Sequence, residues 1–209
     1  MANPTNNIMT QPNILLLFSD EHSFRYMGHV PEDAGGEPVY TPNFDRLANQ
    51  STVFRNAYCQ MPLCTPSRMC LLSGREARNC GAWNNRSVLD PMLPTMPKAF
   101  NAAGYETCLV GKMHFGGNLQ FHGFQHRPYG DLTGDTGHQW EPLMADDKNG
   151  REVRTREAGL TEIPESKLQD QVVAHETVAF LREHAGWFIL GGQLGLHFCK
   201  EKRCLYFLI

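Results

Sequence analysis

The side chains best suited to chemistry fall in three short blocks. The middle one, Cys64-Thr65-Pro66-Ser67-Arg68, runs on into Met69-Cys70-Leu71-Leu72-Ser73-Gly74-Arg75. Pro66 fits a helix's first turn and Gly74 fits its end, so the block predicts a helix that starts at Cys64. A thiol there stands where backbone N–H groups gather anions. It is either an activated nucleophile or a small residue lining a turn. By random usage, a 209-residue chain with 7 Cys and 13 Pro would contain Cys-x-Pro-x-Arg about 0.03 times. The first block, Ser19-Asp20-Glu21-His22, offers carboxylates. The third, Gly111-Lys112-Met113-His114-Phe115-Gly116, offers a cation and an imidazole.

Each block is predicted to adjoin a strand. Ile14-Leu15-Leu16-Leu17-Phe18 is continuously apolar, as in a strand covered on both faces, and Asp20 and Glu21 follow at its carboxyl end. Thr52 to Tyr58 alternates like a strand leading into the cysteine loop. Tyr105 to Val110 reads as a buried strand that delivers Lys112 and His114. Helices are predicted after the Thr41-Pro42 pair, from about 96 to 103 after Thr95, and over Ser166 to Leu181 with an end at Gly186. Trp187 to Leu190 reads as another buried strand. This alternation predicts an α/β fold with a mostly parallel sheet, in which ligands bind at the strands' carboxyl edge. Phe115 to Gly150 reads as a long surface excursion, and Arg151 to Arg156 as a solvated connection. His114, His122, His126 and His138 have no zinc-site spacing.

Composition narrows the classes. With 41% hydrophobic and 20% charged residues the chain can build a core, and a net charge of −3 without a basic block points away from nucleic acid and anionic membranes. Residues 1–11 lack a basic start and an apolar core, so no secretory signal is expected there, and no run is long enough to span a bilayer. Seven scattered cysteines fit reduced thiols in a cytoplasm. Residues 1–11 are expected to be disordered.

The three blocks, in this order, resemble the type I sulfatases of the alkaline-phosphatase-like superfamily, over roughly residues 12 to 197. Pro62-Leu63-Cys64-Thr65-Pro66-Ser67-Arg68, Gly111 to Phe115 and His122-Gly123-Phe124 are most similar to choline-sulfatase and its bacterial relatives. The resemblance implies a sulfuric ester hydrolase. Cys64 would be converted to formylglycine by a maturation enzyme, and Asp20, Glu21 and the modified Cys64 would hold Ca²⁺ or Mg²⁺. Arg68 and Lys112 would hold the hydrated aldehyde and the ester oxygens, and His114 would bond to the hydrate. Asn85 would contact substrate, with a turn-forming Asn as the equal alternative.

His197 falls where the family has a histidine that contacts the ester, yet the flanking prolines of that block are absent, and residues 199–209 resemble nothing in it. The later acidic ligands, a second lysine and a C-terminal domain are missing from the text, so the chain is expected to be an incomplete N-terminal part of a sulfatase domain. The substrate would be a small sulfate ester. The rivals are a phosphonate monoester or phosphodiester hydrolase on the same scaffold, and a catalytically inactive fragment.

Overall fold

The computed structural model describes residues 12–20, 22–130, 164–184 and 203–208. They fall into two compact units, one of Met1–Phe18 with Met61–Ile209 and one of Ser19–Gln60. The expected disorder of residues 1–11 and the expected strand at Trp187–Leu190 lie outside the described residues.

The first unit is built on a four-stranded sheet. Its strands are β1 (Ile14–Leu17), β2 (Tyr105–Val110), β3 (His126–Tyr129) and β4 (Arg203–Leu208), in the spatial order β1-β4-β2-β3 with every pairing parallel. The tail that resembled nothing in the sulfatase pattern thus contributes β4, placed between β1 and β2. Ile14 pairs with Leu205, and Tyr105 to Val110 pair with Arg203 to Leu208 residue for residue.

Parallel strands need cover on both faces, and the residues of β2 supply it alternately. Tyr105 and Leu109 pack on one face with Leu72, Met113, Phe115 and Phe124. Cys108 and Val110 pack on the other with Val173, Phe180 and Leu181. β1 follows the same rule: Ile14 and Leu16 join the first cluster, Leu15 the second, while Leu17 is exposed. The first face is covered by α2 (Cys64–Ser73) and α4 (Met96–Ala102), with α3 (Ala77–Cys80) packed against α2. The second face is covered by α5 (Gln169–His184), whose buried Val173, Thr177, Phe180 and Leu181 recur at helical spacing.

Helix boundaries follow the turn chemistry with one change of partner. Thr95 has the extended backbone of an N-cap, but its hydroxyl donates to the His122 carbonyl at 2.6 Å and not to its own helix. The strand expected over Thr52 to Tyr58 is corrected: the segment is irregular, with Phe54 and Tyr58 exposed. Alternation alone does not make a strand, and no described strand pairs with it. β3, which the expectation of a long surface excursion passed over, adds the opposite surprise.

The Ser19–Gln60 unit contains α1 (Pro42–Asn49), which starts at Pro42 as Thr41-Pro42 predicts. Thr41 takes a hydrogen bond from the Gly28 N–H and donates to Asp45 Oδ1 at 2.9 Å, tying the loop to the helix. Phe44 and Leu47 on this helix are exposed. No described helix is long and apolar enough to cross a membrane.

Candidate active site

α2 begins at Cys64, with Leu63 in the extended N-cap conformation and Gly74 left-handed at the other end. The half-buried Cys64 therefore occupies the first helical position. The anion-gathering N–H groups expected around it are already partly committed. The Thr65 N–H donates to Asn85 Oδ1 at 3.1 Å, the Ser67 N–H donates to the Leu63 carbonyl, and Pro66 has none to give. Asn85, expected to meet substrate, is thus bound into the helix start.

β2 ends at Val110, and Gly111, with φ 98°, turns the chain out of the sheet. The four residues that follow divide in two. Met113 and Phe115 are buried in the first core cluster, while Lys112 and His114 are half-buried. His114 has φ 53°, a left-handed conformation that costs a residue with a Cβ roughly 1–2 kcal/mol. The surroundings enforce it. The buried Thr65 hydroxyl donates to the His114 carbonyl at 2.9 Å, and Gln120 Nε2 donates to the Phe115 and Gly117 carbonyls.

Arg68, one turn along α2 from Cys64, is fully buried. Its Nη1 donates to the Lys112 carbonyl at 2.6 Å, and its guanidinium lies 5.3 Å from the centre of the Phe18 ring. Arg68 therefore fixes the Lys112 backbone. The outcome is a Lys112 ammonium 3.9 Å from Cys64 Sγ. A cation at that distance can steady a developing negative charge on the Cys64 side chain or on a group attached to it.

Behind the loop lies a second layer. Arg127 donates to both the carbonyl and the side-chain oxygen of Gln120. His122 is buried, left-handed at φ 41°, and has its ring 4.5 Å from that of Phe115. Burial, then the positive charges of Lys98 and Arg127, hold its imidazole below the ordinary value of 6.5. Thr65, Gln120 and Arg127 carry no sequence signal that singles them out as supports. Only their contacts show it.

Of the residues expected in the site, Cys64, Arg68, Lys112, His114 and Asn85 come together in the first unit. Asp20 is exposed, three residues after the end of β1, and belongs to the Ser19–Gln60 unit. Glu21 and His197 lie outside the described residues. A hard divalent cation takes about six to eight oxygen ligands. Among the described residues the expected set supplies Asp20 and the Cys64 side chain, the latter beside a lysine, which does not make such a shell. No catalytic step is therefore assigned to an ion.

A family model described as Sulfatase matches residues 12–205. The chain is 36% identical over 125 residues to an N-acetylglucosamine-6-O-sulfatase of Bacteroides thetaiotaomicron, covering 60% of this chain and 21% of that protein. It is 34% identical over 122 residues to the choline-sulfatase of Rhizobium meliloti, covering 58% of this chain and 23% of that one. The chain thus spans between a fifth and a quarter of the curated relatives it matches. A phosphonate monoester hydrolase of Agrobacterium radiobacter superposes with a TM-score of 0.60 over 95% of this chain and 41% of its own, at 17% identity, which shows a shared fold.

Proposed function

The chain belongs to the sulfatase family, and from that premise we propose that it carries the nucleophile half of a sulfate-ester hydrolase, with Cys64 as the residue matured to formylglycine. The observation that carries this reading is the Lys112 ammonium 3.9 Å from Cys64 Sγ, held there by Arg68 through the Lys112 carbonyl. An aldehyde at position 64 suits the same place, since its oxygen can accept from that ammonium. When formed, the hydrated aldehyde supplies one hydroxyl to attack sulfur and a second whose deprotonation re-forms the carbonyl and releases sulfate.

The chain's own residues would do the rest. Lys112 neutralises an anionic ester oxygen, lowering the barrier to attack on an already negative group. His114, two residues further along the same loop, would exchange a proton with the modified side chain. Arg68 and Thr65 position these two groups by holding their carbonyls. The substrate class proposed is a small sulfate monoester, consistent with sulfatase relatives acting on an amino sugar and on choline by name. The divalent ion usual in the family is proposed to draw on Asp20 and Glu21 together with ligands beyond the described residues.

Co-expression with a formylglycine-generating enzyme, followed by peptide mass spectrometry, tests the assignment. Conversion is expected at Cys64 and at none of the other six cysteines. An intact thiol at Cys64, in cells where a control sulfatase is converted, overturns it. In any longer form of the protein that turns over, an aryl sulfate should be cleaved faster than an aryl phosphonate, and the reverse order would reassign the substrate class.

A further inference from the structure

Toward the other end of β2 from the Lys112 loop, about 13 Å along the strand from Val110, three side chains from three elements converge. Glu106 comes from β2, His126 from β3 and His184 from the last turn of α5. His126 Nε2 lies 2.7 Å from Glu106 Oε1, and His184 Nε2 lies 3.6 Å from the same oxygen. The three ligand atoms all lie within 4.8 Å of one another, the one such group of three among the described residues. We propose that Glu106, His126 and His184 form a binding site for a zinc-class divalent metal, independent of the sulfatase chemistry.

The hydrogen bond behind His184 orients its other nitrogen toward the group. His184 Nδ1 is 2.8 Å from the Phe180 carbonyl. A carbonyl can only accept, so Nδ1 carries the proton, and in the neutral imidazole Nε2 presents its lone pair. With Nε2 unprotonated, that lone pair faces the Glu106 oxygen 3.6 Å away, beyond hydrogen-bond reach, and a cation held between the two would be shared by both. A backbone carbonyl on the far ring nitrogen is also the usual device for orienting a metal-bound histidine. Phe180 completes the support, its ring stacked on His184 at 3.8 Å and 5.2 Å from His126.

The dimensions and the donor set agree. Zinc bonds of about 2.0–2.2 Å place tetrahedral ligands roughly 3.3–3.6 Å apart: the 3.6 Å His184–Glu106 separation fits, and the 2.7 Å His126–Glu106 hydrogen bond would open by about 0.6 Å as the metal replaces its proton. Two imidazoles and one carboxylate favour zinc, cobalt or nickel over calcium or magnesium, and leave one position for water. All three side chains are partly buried, neither sealed in the core nor fully solvated. A bound ion would pin β3, which pairs with β2 only through an irregular register, to both β2 and α5.

Titrating the chelator-treated 209-residue chain with Co²⁺, and then displacing it with Zn²⁺, tests the site. One Co²⁺ per chain is expected, with visible bands of a nitrogen and oxygen environment and no thiolate charge-transfer band. Glu106→Gln, His126→Gln and His184→Gln should each weaken binding at least tenfold, whereas His175→Gln, an exposed position on α5, should not. For any variant that fails to fold, diethylpyrocarbonate labelling of the wild-type chain stands in. Zn²⁺ should protect His126 and His184 and leave His175 reactive. Failure of the wild type to bind, thiolate bands, equal affinity in folded variants, or labelling unchanged by Zn²⁺ would each overturn the proposal.

Discussion

Arg68 shows how a buried charged side chain can serve a site by holding its backbone. Its guanidinium is fully buried and one Nη1 bond goes to the Lys112 carbonyl, so it fixes the backbone from which the Lys112 side chain reaches toward Cys64. Arg68→Lys keeps the charge but replaces a planar fork with a point donor on a shorter reach. Urea unfolding should show a loss of about 1–3 kcal/mol, as expected when a buried acceptor loses a charged donor. Thr65→Val is the companion test at a neutral bond: it keeps the shape, removes the donor to the His114 carbonyl, and should cost about 1–2 kcal/mol. His122 gives a pH dependence. Its folded value lies below 6.5, so the unfolded chain binds the proton more readily. The stability it contributes is present above about pH 6.5 and is lost as pH falls through that value toward the folded one. His122→Asn tolerates the left-handed backbone, and its unfolding midpoint should fall less steeply between pH 7 and 5 than the wild type's.

The start of α2 depends on a residue twenty positions away. Asn85 Oδ1 accepts the Thr65 N–H, the part usually played by an N-cap side chain, which Leu63 cannot play. Asn85→Leu should destabilise the chain by about 0.5–2 kcal/mol, while Asn85→Asp keeps the acceptor and adds a charge favourable to the helix end. Thermal melts of the two variants should therefore move in different directions, and a fall of equal size in both would remove Asn85 from the helix start. Elements differed sharply in how far they could be read from the sequence. β2 matches its expected span because Gly104 and Gly111 bound it and residues on both of its faces, Tyr105 and Leu109 on one and Cys108 and Val110 on the other, are buried. β3 was invisible because His126-Arg127-Pro128-Tyr129 has neither alternation nor apolar character; it is a strand because β2 offers it a partner, and an edge position tolerates its proline. The Cys64 helix and the Lys112 and His114 loop were legible from local turn chemistry joined to motif order. Glu106, His126 and His184 were not, since spacing along the chain says nothing about three elements meeting.

Across the whole molecule, the sheet depends on its last strand in sequence. β4 lies between β1 and β2 and supplies the pairing that joins them. A chain ending at residue 202 should lose the cooperative thermal transition, followed by near-ultraviolet circular dichroism, while retaining much of its helical far-ultraviolet signal. A sharp transition in that shortened chain would show that β1 and β2 find each other without it.

That order of strands also sets a clock during synthesis. The Cys64 block leaves the ribosome long before β4 does, and residues 69–202 must be added in between. At about 5–20 residues per second this takes roughly 7–27 s, during which the sheet that anchors Lys112 cannot close. A maturation enzyme that needs an extended substrate would have that interval, and little afterwards, to reach Cys64. Slower translation through this stretch should raise the fraction of chains modified, and faster translation should lower it.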